Sequence, residues 1–203
     1  IVEALRVDAI GDSGQPYGGR AFNDCIAAAQ RRGISVVPVR RGMRYATDDG
    51  VAFDALAPEE PLLADGPNDV NENSVVLMLQ YRCSACPRPF RMLFTGDAGA
   101  ESEARMLASG TDLEADVLKV GHHGSAYSST AAFVAAVHPR YALISVGRHN
   151  HFGHPAPPTL ATLVRTGATV YRTDRRGAIT VRAEPLSVET MLTTEQSFAG
   201  AAQ

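Results

Sequence analysis

Three groups of residues could do chemistry in this chain by type and spacing: Asp97, the pair His122-His123, and the trio His149, His151 and His154. With His138 they include every histidine, all between positions 122 and 154. Carboxylate oxygen and imidazole nitrogen in one site suit zinc, manganese or iron and suit calcium poorly. Asp97 taken alone reads rather as a turn or helix-capping aspartate, and a lone histidine as a surface or core residue. Their placement as a group favours function.

That placement depends on three strands. Phe90 to Phe94 is an apolar run that ends just before Thr95-Gly96-Asp97. Val117 to Val120 runs into Gly121-His122-His123-Gly124-Ser125. Tyr141 to Val146 empties into Gly147-Arg148-His149-Asn150-His151-Phe152-Gly153-His154. The ends of strands in layered α/β proteins are where sites gather. Adjacent histidines cannot point the same way from an extended segment, so one is expected to ligate while the other faces substrate or packs. The flanking glycines let the backbone approach a ligand.

Further strands are predicted at Val36 to Val39, Val51 to Leu56, Ser74 to Leu79, Thr169 to Tyr171 and Ala178 to Val181. Helical patterns cover Ala21 to Arg32, Ala100 to Ala108, Thr130 to Val137 and Thr159 to Arg165, stopped by Gly33, Gly110, Pro139 and Gly167 respectively. Asp48-Asp49-Gly50 and Arg175-Arg176-Gly177 read as turns. The second half alternates strand and helix while the middle runs as hairpins, which predicts an α/β fold with a mixed sheet. Ser187 to Gln203 has weak patterning and reads as a loosely held tail.

Composition sets the limits. The 203 residues are 45% hydrophobic and 20% charged, with 18 Gly and 12 Pro, the make-up of one loop-rich globular domain or most of one. No apolar run approaches the roughly 20 residues that span a bilayer. Between Pro139 and Arg182 the charges are Arg140, Arg148, Arg165, Arg172, Arg175, Arg176 and Arg182, opposed only by Asp174, in a chain of net charge −3. Such a stretch fits a phosphate-bearing partner or a solvated face, and the overall acidity argues against a dedicated nucleic-acid coat. Cys25, Cys83 and Cys86 make no disulfide framework. Cys83-Ser84-Ala85-Cys86 reads as an exposed hairpin tip, with a local disulfide or half a zinc knuckle as alternatives, and reduced cysteines lean towards the cytoplasm.

The series Thr95-Gly96-Asp97, Ala115 to Ser125, Ile144 to Gly147 with Phe152-Gly153-His154-Pro155, and Val170 to Thr180 resembles the metallo-β-lactamase-fold domain of ComEC-like DNA-uptake competence proteins and its stand-alone relatives. Asn73-Ser74-Val75-Val76-Leu77 resembles that group's asparagine-serine strand. The resemblance is strong from Asn71 to Arg182 and weak before it. It implies an αββα four-layer sandwich over residues 1–185, with 186–203 as a C-terminal tail, and a metal-dependent hydrolase, a nuclease or phosphodiesterase acting on DNA. β-Lactamase or thioesterase chemistry on the same scaffold, and a catalytically dead DNA- or partner-binding module, are the alternatives.

By the same resemblance, Asp97 would bridge two divalent metals, zinc or manganese. One of His122 and His123 would ligate, with the other near the scissile phosphate, and His154 would face the substrate. Asn73, Lys119, Ser125, Ser128 and Arg148 are the substrate-contact candidates. A tether to a transmembrane channel outside the chain is implied as well. The group's HxHxDH motif does not occur in this sequence, and Ile1 to Ser13 resembles the stretch that follows it. The expectation is therefore an N-terminally incomplete domain that holds at most one metal and is inactive by itself.

Overall fold

The computed structural model describes residues 2–64, 66–82 and 86–191. Seven strands form the main sheet: β3 (Arg44–Ala46), β4 (Val51–Ala57), β5 (Val76–Tyr81), β6 (Phe90–Phe94), β7 (Val117–Lys119), β8 (Tyr141–Ile144) and β9 (Thr169–Arg172), hydrogen-bonded in that spatial order. The β3 to β6 half is antiparallel and the β6 to β9 half parallel. Parallel neighbours require crossovers, and these are supplied by α3 (Ala100–Ala108), α4 (Ala131–Val137) and α5 (Pro157–Arg165).

The three helices pack on one face of the sheet. Val76, Leu93, Leu118, Ala142 and Ile144 are fully buried there against Met106, Phe133, Val134 and Leu163. Each of these side chains larger than alanine contributes about 1.5–3 kcal/mol by leaving water. On the other face Val117 and Leu143 are buried, and Leu79, Met92, Tyr141 and Tyr171 are half-buried. That face packs against Ile179, Val181, Leu186 and Val188 of a hairpin made by β10 (Ala178–Ala183) and β11 (Leu186–Met191). A small α/β unit precedes the sheet: β1 (Ala9–Asp12) pairs in parallel with β2 (Ser35–Pro38) across α1 (Arg20–Arg31). Two single-turn helices, α2 (Asp69–Glu72) and α6 (Thr173–Arg176), complete the set.

The fold class read from the sequence holds: this is a layered α/β structure with a mixed sheet. Three local readings change. Leu186–Met191 is a strand paired residue for residue with β10, so the stretch read as tail begins with ordered structure; residues 192–203 lie outside the described residues. Arg175 and Arg176 belong to α6, and only Gly177, at φ 67°, makes the turn. Cys86 is disulfide-bonded, which removes the support that reduced cysteines gave to a cytoplasmic setting. The Cys83-Ser84-Ala85 tip lies outside the described residues. Among the described residues no helix is long and apolar enough to cross a membrane.

Candidate active site

Three turns interlock where β6, β7 and β8 end. After β6, Gly96 leaves the strand at φ 54° and Asp97 is fixed by its backbone N–H, which donates to Ser74 Oγ at 3.1 Å. The next turn is tied to it, because His122 N–H donates to the Gly96 carbonyl at 3.1 Å. Glu72 closes this corner by accepting the N–H groups of Gly99 and Ser102 at 3.2 and 2.9 Å, which satisfies the otherwise orphaned first turn of α3.

The Gly121–Gly124 segment is not extended. His122 and His123 both sit in the left-handed region, at φ 45° and 55°, a conformation that costs non-glycine residues roughly 1–2 kcal/mol each. This replaces the expected extended-strand alternation, and both imidazoles reach the neighbourhood of Asp97 from different sides. His122 lines one cleft with Asp97, Ser125, Tyr127 and His154. His123 lines the adjoining cleft with Ser145, Asn150 and Thr173, while its Nε2 stands 3.7 Å from Asp97 Oδ1.

His123 Nδ1 lies 2.7 Å from the Ser145 carbonyl. A carbonyl only accepts, so Nδ1 is the donor, and in the neutral ring Nε2 keeps a lone pair. A lone pair facing a carboxylate repels it unless a proton or a cation lies between them.

What holds this segment is buried. Glu103 of α3, 1% exposed, accepts the N–H of Ser129 on Oε1 and that of Thr130 on Oε2, the latter at 2.8 Å. Burial pushes its carboxyl above the ordinary 4.5, against the pull of those two bonds. Ala100 N–H donates to the Tyr127 carbonyl at 3.0 Å, so α3 grips residues 127–130 at three points. Gly124, at φ 84°, lets the β8 loop come close: a Cβ there would stand 2.6 Å from Pro155 Cβ.

The third turn presents His154. Asn150 accepts the His154 N–H on Oδ1 at 3.0 Å and donates from Nδ2 to the carbonyls of Gly147 and His154, at 3.1 and 2.9 Å. The His154 ring lies 5.7 Å from that of His122, and Phe152 stacks on it at 5.9 Å with 18° between planes. Burial, and then the positive charge available to His122 and His123, hold the His154 imidazole below the ordinary 6.5, while Asp97 pulls the other way. At neutral pH its neutral form is favoured, able to accept or pass on a proton.

Of the sequence-predicted residues, Asp97, His122, His123 and His154 converge, with Ser125 on the cleft wall. Lys119 is half-buried behind them; its Nζ donates to the Val120 carbonyl at 3.1 Å, and burial lowers its pKa against the attraction of Asp97. Ser128 is buried and donates to the Gly121 carbonyl at 3.0 Å, a brace rather than a contact. Asn73 does not face the cleft. It is 1% exposed, and its amide is taken by Leu63 N–H, the Leu63 carbonyl and Gln15 Oε1.

Arg148, His149 and His151 are exposed on the β8 loop, outside both clefts. The arginine stretch is dispersed as well. Arg172 pairs with Asp174 at 2.6 Å, Arg182 with Glu189 at 3.0 Å, and Arg140 lies over the Tyr141 ring.

Sequence reasoning missed Glu72, Glu103 and Asn150 as positioning residues and Tyr127 and Phe152 as cleft walls. Asn150, between two glycines in a histidine-rich loop, carried the one usable signal. Among the described residues no group of three His, Cys, Asp or Glu side chains is arranged to hold a metal ion.

Fold and site together define a layered α/β domain whose consecutive strand ends build an aspartate-histidine cleft. Three curated proteins are similar to it in sequence. ComE operon protein 3 of Bacillus subtilis is 34% identical over 157 residues, covering 77% of this chain and 19% of that protein. Competence protein ComA of Neisseria gonorrhoeae is 35% identical over 132 residues, 64% of this chain and 18% of the relative. Recombination protein 2 of Haemophilus influenzae is 38% identical over 93 residues, 44% and 11% of the two chains.

The resemblance to the ComEC group therefore stands, and this chain spans less than a fifth of each of these relatives' length. No known family profile matches the chain. The solved structure of a putative metal-dependent hydrolase from Parabacteroides distasonis overlaps 85% of this chain and 79% of its own, at a TM-score of 0.48 and 12% identity, an overlap too loose to carry an argument.

Proposed function

We propose that this chain is the part of a metal-dependent phosphodiesterase domain that faces its substrate, acting on DNA in the setting of competence uptake. The observation that carries this reading is the convergence of Asp97, His122, His123 and His154 from three strand ends, with Asp97 Oδ1 3.7 Å from His123 Nε2. That pair, with its lone pairs facing, fits one cation. The residues described do not fit a two-metal centre, since no third donor of the kind joins them.

A metal there would polarise a phosphoryl oxygen and lower the pKa of bound water. The chain's own part is to orient and to move protons. Ser145 fixes the His123 tautomer, Ser74 fixes the Asp97 backbone, and His154 is held neutral beside the cleft, in reach of a leaving oxygen. Ser125 lines the cleft beside these groups, Lys119 stands behind them, and Arg148 on the β8 loop is the proposed outer phosphate contact. A β-lactamase or thioesterase would use the same groups, but the names of the relatives favour a nucleic-acid setting.

The test is cleavage of single-stranded and duplex DNA with Mn²⁺ or Zn²⁺, by this chain and by a version extended upstream of Ile1. We expect the chain alone to be inactive. The extended version should cleave, and Asp97→Ala should lower that activity at least about 100-fold, the upper end of what even outer ligand partners cost. Metal-dependent cleavage by neither protein, or cleavage untouched by Asp97→Ala, overturns the proposal.

A further inference from the structure

Phe152 and Tyr127, at 82% and 75% exposure, are the two most exposed large apolar side chains among the described residues. Both wall the cleft that holds Asp97 and His122. Two rings left this open in one cleft of about 260 Å³ lose the hydrophobic contribution they would make under cover. We infer that they are a stacking platform for unpaired nucleobases, so that the polynucleotide this site accepts is a single strand. The inference rests on the phosphodiester reading above and narrows it.

The rings are presented rather than loose. Tyr127 N–H donates to Ser125 Oγ at 3.2 Å and its carbonyl accepts from Ala100 of α3. Phe152 lies in the loop closed by Asn150 and is nearly parallel to His154 beneath it. Phe152 keeps the face turned away from His154 for a ligand, and the Tyr127 ring stands open to solvent beside it. Between them the lining carries the polar side chains Asn68, Asn71 and Glu72 as well as Asp97 and His122.

Apolar walls with a polar floor match a strand whose flat bases alternate with sugar and phosphate, and they match an apolar protein side chain poorly. In a duplex the base faces are already stacked and unavailable, whereas unpaired bases stack on aromatic side chains with little regard to sequence.

The experiment is equilibrium anisotropy of labelled oligonucleotides with the 203-residue chain in excess chelator, so that neither metal nor cleavage enters. Three probes of about twelve nucleotides are compared: oligo(dT), an abasic strand of the same length and charge, and a duplex. We expect oligo(dT) to bind tightest. Phe152→Leu and Tyr127→Leu should each shrink its advantage over the abasic strand by about five-fold or more, and Phe152→Tyr should restore it.

Both positions are exposed, and circular dichroism checks that the variants stay folded. An oligo(dT) preference unchanged in both leucine variants overturns the inference. So does equal binding of oligo(dT) and the abasic strand by the parent, binding of the duplex as tightly as the single strand, or no binding of oligo(dT). Failure of the hydrolase reading alone would show as absent cleavage with the oligo(dT) preference intact.

Discussion

The loops after β7 and β8 deliver histidines to the same cleft by opposite means. The β7 loop is anchored from afar: Glu103 and Ala100 of α3 hold residues 127–130, and Gly96 holds His122. The β8 loop is largely anchored by itself, through Asn150, four residues from His154. A residue held by the core can keep a strained backbone, as His122 and His123 do. A residue held by its own loop can be adjusted without unsettling the core. The difference separates a fixed half of the site, Asp97 with His122 and His123, from an adjustable half, His154 with Phe152.

Breaking the fixed half should cost most. Glu103→Ala leaves the buried Ser129 and half-buried Thr130 N–H groups without acceptors, at about 1–3 kcal/mol each, partly offset by no longer burying a carboxyl group. We expect a net loss of about 3 kcal/mol in urea unfolding and a new environment for the His122 ring resonances. The folded state binds the Glu103 proton more tightly than the unfolded chain does. The Glu103 contribution is therefore fully present below the ordinary 4.5 and is lost as pH rises through its raised value. Stability measured against pH should lose that downward slope in Glu103→Gln.

Next comes the seam between the halves. Gly124→Ala places a Cβ 2.6 Å from Pro155 Cβ at a φ of 84°, and we expect about 2 kcal/mol of destabilisation, with a displaced His154 visible as a changed His122–His154 ring contact by NMR. The smallest effect should follow Asn150→Ala. It removes three local hydrogen bonds in a half-exposed loop, so stability should fall by about 1 kcal/mol, with fast amide exchange confined to residues 147–154. Global loss of protection in Asn150→Ala, or purely local loss in Glu103→Ala, would erase the distinction between the halves.

The sequence made legible whatever rests on long apolar runs and on residue order. Phe90–Phe94 and Ala100–Ala108 match their predicted bounds, and the strand-end placement of Asp97, His122 and His154 follows from them. β1 and β3 are short and largely exposed, and α2 and α6 are single turns, so none has enough residues to show a period. β11 alternates polar and apolar residues weakly, and only its pairing with β10 makes it a strand.

The Asn73 amide reads as substrate-facing because its neighbours in sequence resemble a site strand. Its partners, Leu63 and Gln15, lie 10 and 58 residues away, a distance local reading does not reach. Glu103 looks like any helix-surface carboxylate until the fold buries it.

The left-handed pair His122-His123 has a bearing on engineering. Two consecutive residues in that region fall back to extended or right-handed backbone once their surroundings are gone, and the two rings then lose their directions. A short Gly-His-His-Gly peptide, or the same four residues grafted onto another strand end, would keep the nitrogens and lose the site. What could be transplanted is the larger block that includes α3, because the instruction that aims these imidazoles is written in a helix about twenty residues upstream.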